Sequence, residues 1–399
     1  MTDARPIKKK RIAVVVFSHH PHDLRVRRAV EAAVGASYDV DLFCLRKRSQ
    51  PKFEKSLGLT IYRYDVPRSR SSIINYLVEY GVFLALVFAR LSARHMKARY
   101  SVIHVNNMPD VLVLTGLLAK ISGARILLDL HDPVPEVYLA KYGVARKEQL
   151  VRLMKMLERL CIAFSDKVIT PNIAFRNLFI ERGCPAEKID IVMNAPDQRI
   201  FVPGPPVSAD GEGSVRPFRV VFNGIIAERN GLDTAIDAVL MLSGRIPGIT
   251  FDIYGEGDAA AKTAARIKSL GEDSCIRFRG FVPIAELVKY IARSNVGVIP
   301  NNRNPFTEIN FPVRIFEYLT FRKPVIAPNT RGIRDYFAPD GLLMFEPGDP
   351  GDLARKIDFV YSHPDETAEV VRKGYAVYEK HNWTIQKEKL LRIYEELSR

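Results

Sequence analysis

Cysteine is scarce in this 399-residue chain, and the four present are scattered. Cys44, Cys161, Cys184 and Cys275 form no CxxC pair and have no histidine at metal-ligand spacing. That disfavours a zinc site or a disulfide framework and fits reduced thiols in a cytoplasm. A GxGxxG loop is missing after the first apolar run, which argues against a dinucleotide bound there. His19, His20 and His22 follow that run without an acidic partner at ligand spacing, so no metal is expected. A secretory leader is not visible either. The basic stretch Lys8, Lys9, Lys10, Arg11 precedes an apolar run, 12–17, too short for a signal-peptide core. The most apolar region, 73–91, contains Glu79, and its longest unbroken run is 82–89. A bilayer-spanning helix needs about 20 apolar residues, so this segment is expected not to cross. It reads either as a buried core helix or as one resting on a membrane, aided by Arg90, Arg94, Lys97 and Arg99.

What the chain does have is regular apolar patterning, 47% hydrophobic residues and a net charge of +14. The length predicts two domains. Short apolar runs recur at 12–17, 38–45, 101–105, 125–130 and 167–170, and again at 218–222, 249–254, 276–278, 296–299, 324–327 and 342–345. Helical periodicity lies between them, as in Ile284, Leu287, Val288, Ile291 and in Leu353, Ile357, Val360, the latter with Asp352 as expected N-cap. Continuous apolar runs alternating with helices predict parallel strands covered on both faces. Residues 195–218, rich in proline and containing Gly204, Gly211 and Gly213, read as a linker. The fold class expected is therefore α/β, two Rossmann-like doubly wound domains facing a central cleft. The domains are placed at 1–203 and 204–380, with a final helix in 381–399 returning toward the first.

Polar clusters fall immediately after the apolar runs, where open α/β sheets bind ligands. Asn106, Asn107 and Asp110 follow one strand; His131, Asp132 and Glu136 follow the next. His131 reads as a proton carrier or a hydrogen-bond donor to a sugar hydroxyl, or else as a satisfied histidine beside a capping Asp132. Arg25, Arg27 and Arg28 read as a solvated basic turn. In the second half Gly224 lets a ligand approach the backbone, and Glu228 and Arg229 precede a helix, where an arginine can neutralise a phosphate. Gly255 begins another tight strand-to-helix turn. Finally, 299–328 carries a short helix from about Pro312, expected in its first turn, with Arg314 and Glu317 on one face. Free amides at that helix start, a cation and a carboxylate suit a phosphate joined to a hydroxyl-bearing group. The alternative for the Arg314–Glu317 pair is a solvated helix face.

Taken together, HPHDLRVRR, HVNNMPD, LDLHDPVPE, NGIIAERNGLDTAIDAV, YGEGD and FPVRIFEYLTFRKPVIAP resemble the GT-B glycosyltransferases of family 4, over residues 11–395. The resemblance implies a retaining, metal-independent transferase with no cofactor beyond its nucleotide-diphosphate sugar donor. It implies that Arg229 and Arg314 contact the donor diphosphate, that Glu317 holds the ribose and that Phe281 and Val282 lie near the base. Glu308 would contact the transferred sugar, a role Asn310 can share, because Glu308 and Glu317 are spaced one residue wider than in the family signature. His131 and the Asn106–Asp110 turn would face the acceptor and the sugar ring. The acceptor expected is a hydroxyl of a glycan or lipid-linked molecule in cell-surface polysaccharide synthesis. The expected location is cytoplasmic, peripheral to the inner face of an anionic membrane. A sugar-nucleotide epimerase on the same fold is the rival. A nucleic-acid-binding protein fits the charge but lacks a reading module, so no nucleic-acid partner is expected.

Overall fold

The computed structural model describes residues 10–66, 73–143, 148–203, 217–271 and 273–399. They divide into two compact units: the chain up to Met193 together with Thr384–Arg399, and Asn194–Trp383. Lys8, Lys9, Gly204, Gly211 and Gly213 lie outside the described residues.

The first unit runs β1 (Arg11–His19), α1 (Leu24–Gly35), β2 (Asp39–Leu45), β3 (Phe53–Ser56), β4 (Leu59–Tyr64), α2 (Ile73–Lys97) and β5 (Val102–Asn106). A 3-10 turn (Asp110–Gly116) and α3 (Leu117–Ile121) follow, then β6 (Arg125–Asp129), α4 (Val134–Tyr142), α5 (Glu148–Phe164), β7 (Lys167–Thr170), α6 (Ile173–Glu181) and β8 (Ile189–Ile191). The sheet order is β3-β4-β2-β1-β5-β6-β7-β8. Ile12 sits between Val40 and Val102, parallel to both, and Ile12, Val14 and Val15 are wholly buried. Burial on both faces is why the central strands read as unbroken apolar runs. Three strands escape that signal: β3, exposed along its length, the mixed-polarity β4, and the three-residue β8. β3 pairs antiparallel with β4 across a turn at Gly58, whose φ of 75° suits glycine.

The second unit runs β9 (Arg219–Asn223), α7 (Leu232–Leu242), β10 (Thr250–Tyr254), α8 (Ala260–Ser269), β11 (Ile276–Gly280), α9 (Ile284–Arg293) and β12 (Val296–Val298). It continues through α10 (Arg314–Thr320), β13 (Val325–Pro328), α11 (Arg331–Arg334), β14 (Leu343–Phe345), α12 (Pro350–Ser362) and α13 (Pro364–His381). All its strand pairs are parallel, in the order β11-β10-β9-β12-β13-β14. Helix α14 (Trp383–Leu397) closes the chain. From Thr384 onward it belongs to the first unit, where the Tyr394 hydroxyl meets His104 Nδ1 at 2.7 Å and Gln386 accepts the Met193 amide.

Several expectations need correction. The 195–218 stretch is no linker at its start: Asp197 and Phe201 are buried in the second unit, Phe201 against Phe321, and the Asp197 carbonyl accepts the amides of Ile200 and Phe201. The division accordingly falls at 193/194 and not at 203/204. Asp349, not Asp352, caps α12, accepting the Asp352 amide at 3.0 Å, because Pro350 opens the helix. Helix α2 is not a core helix: Phe83, Val87 and Leu91 are buried while Leu77, Val78, Val82 and Leu86 stay exposed. By length and composition alone it is apolar enough to cross a membrane, with mean hydropathy 1.5 over a window only 28% buried.

Candidate functional site

In each unit the polar clusters lie where the sheet order reverses. The second unit runs from β9 outward to β10 and β11, then returns to the other side of β9 with β12. The turns after β9 and β12 therefore flank the switch point, the ligand position of open parallel sheets.

Asn223 ends β9 and organises the region. Its side-chain nitrogen donates to Glu317 at 2.9 Å, and its side-chain oxygen accepts from the Tyr318 hydroxyl at 2.6 Å. Its carbonyl accepts from Arg314 at 2.7 Å. The Arg314 guanidinium lies 4.8 Å above the Phe222 ring and directly over Gly224, where a Cβ would stand 3.1 Å from it. Gly255 passes even closer: its Cβ would fall 1.8 Å from the Gly224 carbonyl oxygen. Asn302 locks the Glu228–Asn230 turn, donating to the Glu228 carbonyl while its own amide donates to the Arg229 carbonyl.

Most arginines of this unit are paired, as Arg245 is with Asp358 and Arg279 with Asp252. Arg229 and Arg314 have no carboxylate partner among the described residues. Burial lowers the Arg314 pKa; Tyr318 and Glu317 oppose that shift, and the charge of Arg229 adds to it. Two neighbouring cations that repel each other and make no ion pair can take a polyanion.

In the first unit the switch point is between β1 and β5. A cavity of about 210 Å³ there is lined by Asp23, Arg25, Tyr76, Glu79, Asn107 and Asp132, among others. Arg25 is not part of a solvated turn: it forks onto Asp23, and Arg28 is buried. Asn107 ties the two strand ends together, accepting the His131 amide at 2.9 Å and donating to Asp110 and to the Asp132 carbonyl. The His131 ring is held on both nitrogens, by Asn106 at 3.1 Å and Asp129 at 3.2 Å. Burial, then the Arg25 charge, lowers its pKa to about 4. Both oxygens facing the ring are acceptors, so these contacts favour a ring protonated on both nitrogens while burial opposes the charge. Carboxylates and a hydrogen-bonding tyrosine around an arginine suit a hydroxyl-rich ligand.

Residues 23–195 match the family model described as glycosyl transferase 4-like domain, and residues 217–363 match that of glycosyl transferases group 1. The chain belongs to the family-4-like glycosyltransferases of GT-B fold. The amylovoran biosynthesis glycosyltransferase AmsK of Erwinia amylovora is 23% identical over 207 residues, which is 50% of this chain and 49% of AmsK. The chain thus spans about half the length of that curated relative. Sucrose-phosphate synthase from Thermosynechococcus elongatus superposes with a TM-score of 0.76 at 20% identity, over 98% of this chain and 99% of that one. HepE of Anabaena, solved with UDP-glucose, superposes at 0.71 with 15% identity, over 97% and 99% of the two chains.

On this glycosyltransferase the structure gathers Gly224, Gly255, Arg229, Arg314 and Glu317 at one switch point. Other candidates stand apart from them. Glu228 is exposed and paired with Lys262. Phe281 is 67% exposed, with Val282 half-buried beside it beyond β11. Glu308 accepts the Arg331 amide at the start of α11 and lies 3.1 Å from Arg303. The Asn310 side chain makes no hydrogen bond among the described residues. Pro312 lies before the cap of α10 rather than inside it, and the amides of Ile315, Phe316 and Glu317 are spent on the carbonyls of Pro312 and Val313. Asn223, Asn302 and Tyr318 were not singled out as site residues. Asn223 alone had a signal, as the polar residue closing a buried strand before glycine.

Glu136 is not exposed to an acceptor: it pairs with the buried Arg182, which also forks onto Glu158. Burial raises the Glu158 pKa to about 7 against the opposing Arg182, and raises Asp110 to about 6. Between the ordinary carboxylate range and pH 7 the unfolded chain therefore gives up these protons first, and their contribution to stability falls as pH rises. His131, lowered to about 4, works in the opposite sense over the same range, so the test is a difference. Glu158→Gln should make the change in melting temperature from pH 5 to pH 8 less negative, or more positive, than in wild type. Equal slopes in wild type and variant would refute the assignment.

Proposed function

We propose that this enzyme is a retaining, metal-independent glycosyltransferase that moves a sugar from a nucleoside diphosphate to a hydroxyl of a glycan or lipid-linked acceptor. The process is cell-surface polysaccharide synthesis at the cytoplasmic face of the membrane. The observation carrying this reading is the uncompensated pair Arg229–Arg314 beside Gly224. A diphosphate supplies the missing negative charge, and as the glycosidic bond breaks that charge grows on the leaving group, where both guanidiniums stabilise it. Glu317, fixed by Asn223, accepts hydrogen bonds from the ribose hydroxyls. The transferred sugar is contacted by Asn310 or Glu308, and the base lies near Phe281 and Val282. His131, Asn106, Asn107 and Asp132 border the acceptor. The relation to AmsK supports polysaccharide synthesis.

The test is a thermal-shift screen with nucleoside diphosphates and their sugar conjugates. A ligand at 100 times its Kd stabilises the folded state by about 2.7 kcal/mol. A raised melting temperature with one donor, abolished by Arg229→Ala, is expected. No shift with any of them counts against the reading. Epimerised donor in the absence of acceptor would favour a sugar-nucleotide epimerase.

A further inference from the structure

One layer of the first unit is apolar on its outside. Helix α2 packs against the 3-10 turn Asp110–Gly116, which packs in turn against α5, and α3 adjoins both α2 and the turn. From Leu77 to Ala89 the only charged residue of α2 is Glu79, and it is buried. The outward side is Leu77, Val78, Val82 and Leu86, between 40% and 66% exposed. On α5, Leu153, Met156, Leu157 and Leu160 are exposed at the i, i+3, i+4, i+7 spacing that normally faces a core. The turn and α3 add Leu114, Leu117, Leu118 and Ile121, the last 75% exposed. These twelve are close to half of the large apolar side chains exposed among the described residues. A contiguous apolar surface of this kind marks a binding face.

The charge at its border identifies what it meets. The row Val78, Val82, Leu86 continues one turn on with Arg90, and a groove of about 560 Å³ opens there, lined by Lys52, Arg63, Arg90, Arg94 and Lys97 over Tyr62. Arg94 is committed to the buried Asp41, and Arg63 to Glu54. Arg90 and Lys97 have no carboxylate partner among the described residues. An apolar helix face that ends in unpaired cations is the pattern of an interfacial helix lying on anionic lipid.

We propose that the α2–α3–α5 layer is a membrane-docking surface for an anionic bilayer, with the groove at the end of α2 taking a phospholipid headgroup. This deepens the acceptor reading above and rests on it in one respect: the opposite side of α2 carries Tyr76 and Glu79 into the cavity between β1 and β5. The helix that rests on lipid is then also a wall of the pocket for a lipid-linked acceptor's polar end.

Vesicle flotation tests this with the full chain. Wild type should float with phosphatidylcholine vesicles containing phosphatidylglycerol, at least tenfold more than with phosphatidylcholine alone, and high salt should reduce it. Val82→Asp/Leu86→Asp should lower the floated fraction at least tenfold, and Arg90→Glu/Lys97→Glu should erase the preference for anionic vesicles. Wild type left wholly in the soluble fraction, or either variant floating like wild type, overturns the proposal. So does a dimer by sedimentation that Val82→Asp/Leu86→Asp dissolves, without vesicle binding. Protection of Lys97 from amine labelling by anionic vesicles checks the same surface in wild type, independently of variant folding. Donor thermal shifts in the same variants read the other unit, so failed docking and a failed transferase reading are distinguished.

Discussion

Replacing Arg314 or Arg229 by alanine should lower turnover at least tenfold each, about 1.4 kcal/mol of transition-state stabilisation. The reasoning is electrostatic. Neither side chain has a carboxylate to leave behind, so the loss falls on the ligand and not on an orphaned partner. Arg229, half-exposed and tied to the fold through its carbonyl, should leave the melting temperature of the unliganded protein nearly unchanged. Arg314 also donates to the Asn223 carbonyl and covers the Phe222 ring, so its removal should cost some stability as well. Arg314→Lys keeps the charge but loses the planar fork, and should recover only part of the activity. Steady-state kinetics together with a melt of each variant separates the two contributions. Wild-type turnover in both alanine variants would remove the diphosphate assignment.

Gly255→Ala should be the most damaging small substitution in the second unit. The added methyl would lie 1.8 Å from the Gly224 carbonyl oxygen, which is backbone and cannot swing away, and the residue sits at a φ of 142°. Overlap and backbone strain together should cost about 3 kcal/mol or more, which lowers the melting temperature by roughly 6 °C or more. Because Gly224 would be pushed toward Arg314, donor binding should fall further than stability does. A variant that melts like wild type and keeps donor binding would show that the two turns do not pack as described. Gly123→Ala, with nothing within 4 Å of its Cβ but also at positive φ, controls for conformation alone.

The central strands were readable because each is buried on both faces, which imposes an unbroken apolar run whatever its neighbours are. The edges were not. β3 is short and exposed and β8 is only three residues long, so nothing in their composition separates them from loops. Arg229, Arg314 and Glu317 were singled out from their places in the turns and the short helix that follow apolar runs, together with the family resemblance. Glu136 met the same criterion and lies instead in an ion triad with Arg182 and Glu158. That difference depends on what packs opposite, and Arg182 is 46 residues away. Helix α2 shows the limit from the other side: its composition suits a core or a lipid surface equally, and only the structure shows that Phe83, Val87 and Leu91 are buried while Val82 and Leu86 are exposed.

The amino-acid order by itself determined two α/β units with parallel strands and polar clusters at strand ends, because strand burial and turn chemistry are local demands on composition. The tertiary structure decided which charges are left without partners. Pairing is a matter of distance between residues that can be far apart in the chain, and it separates Arg229 and Arg314, which have no carboxylate partner among the described residues, from Glu136, which pairs with Arg182.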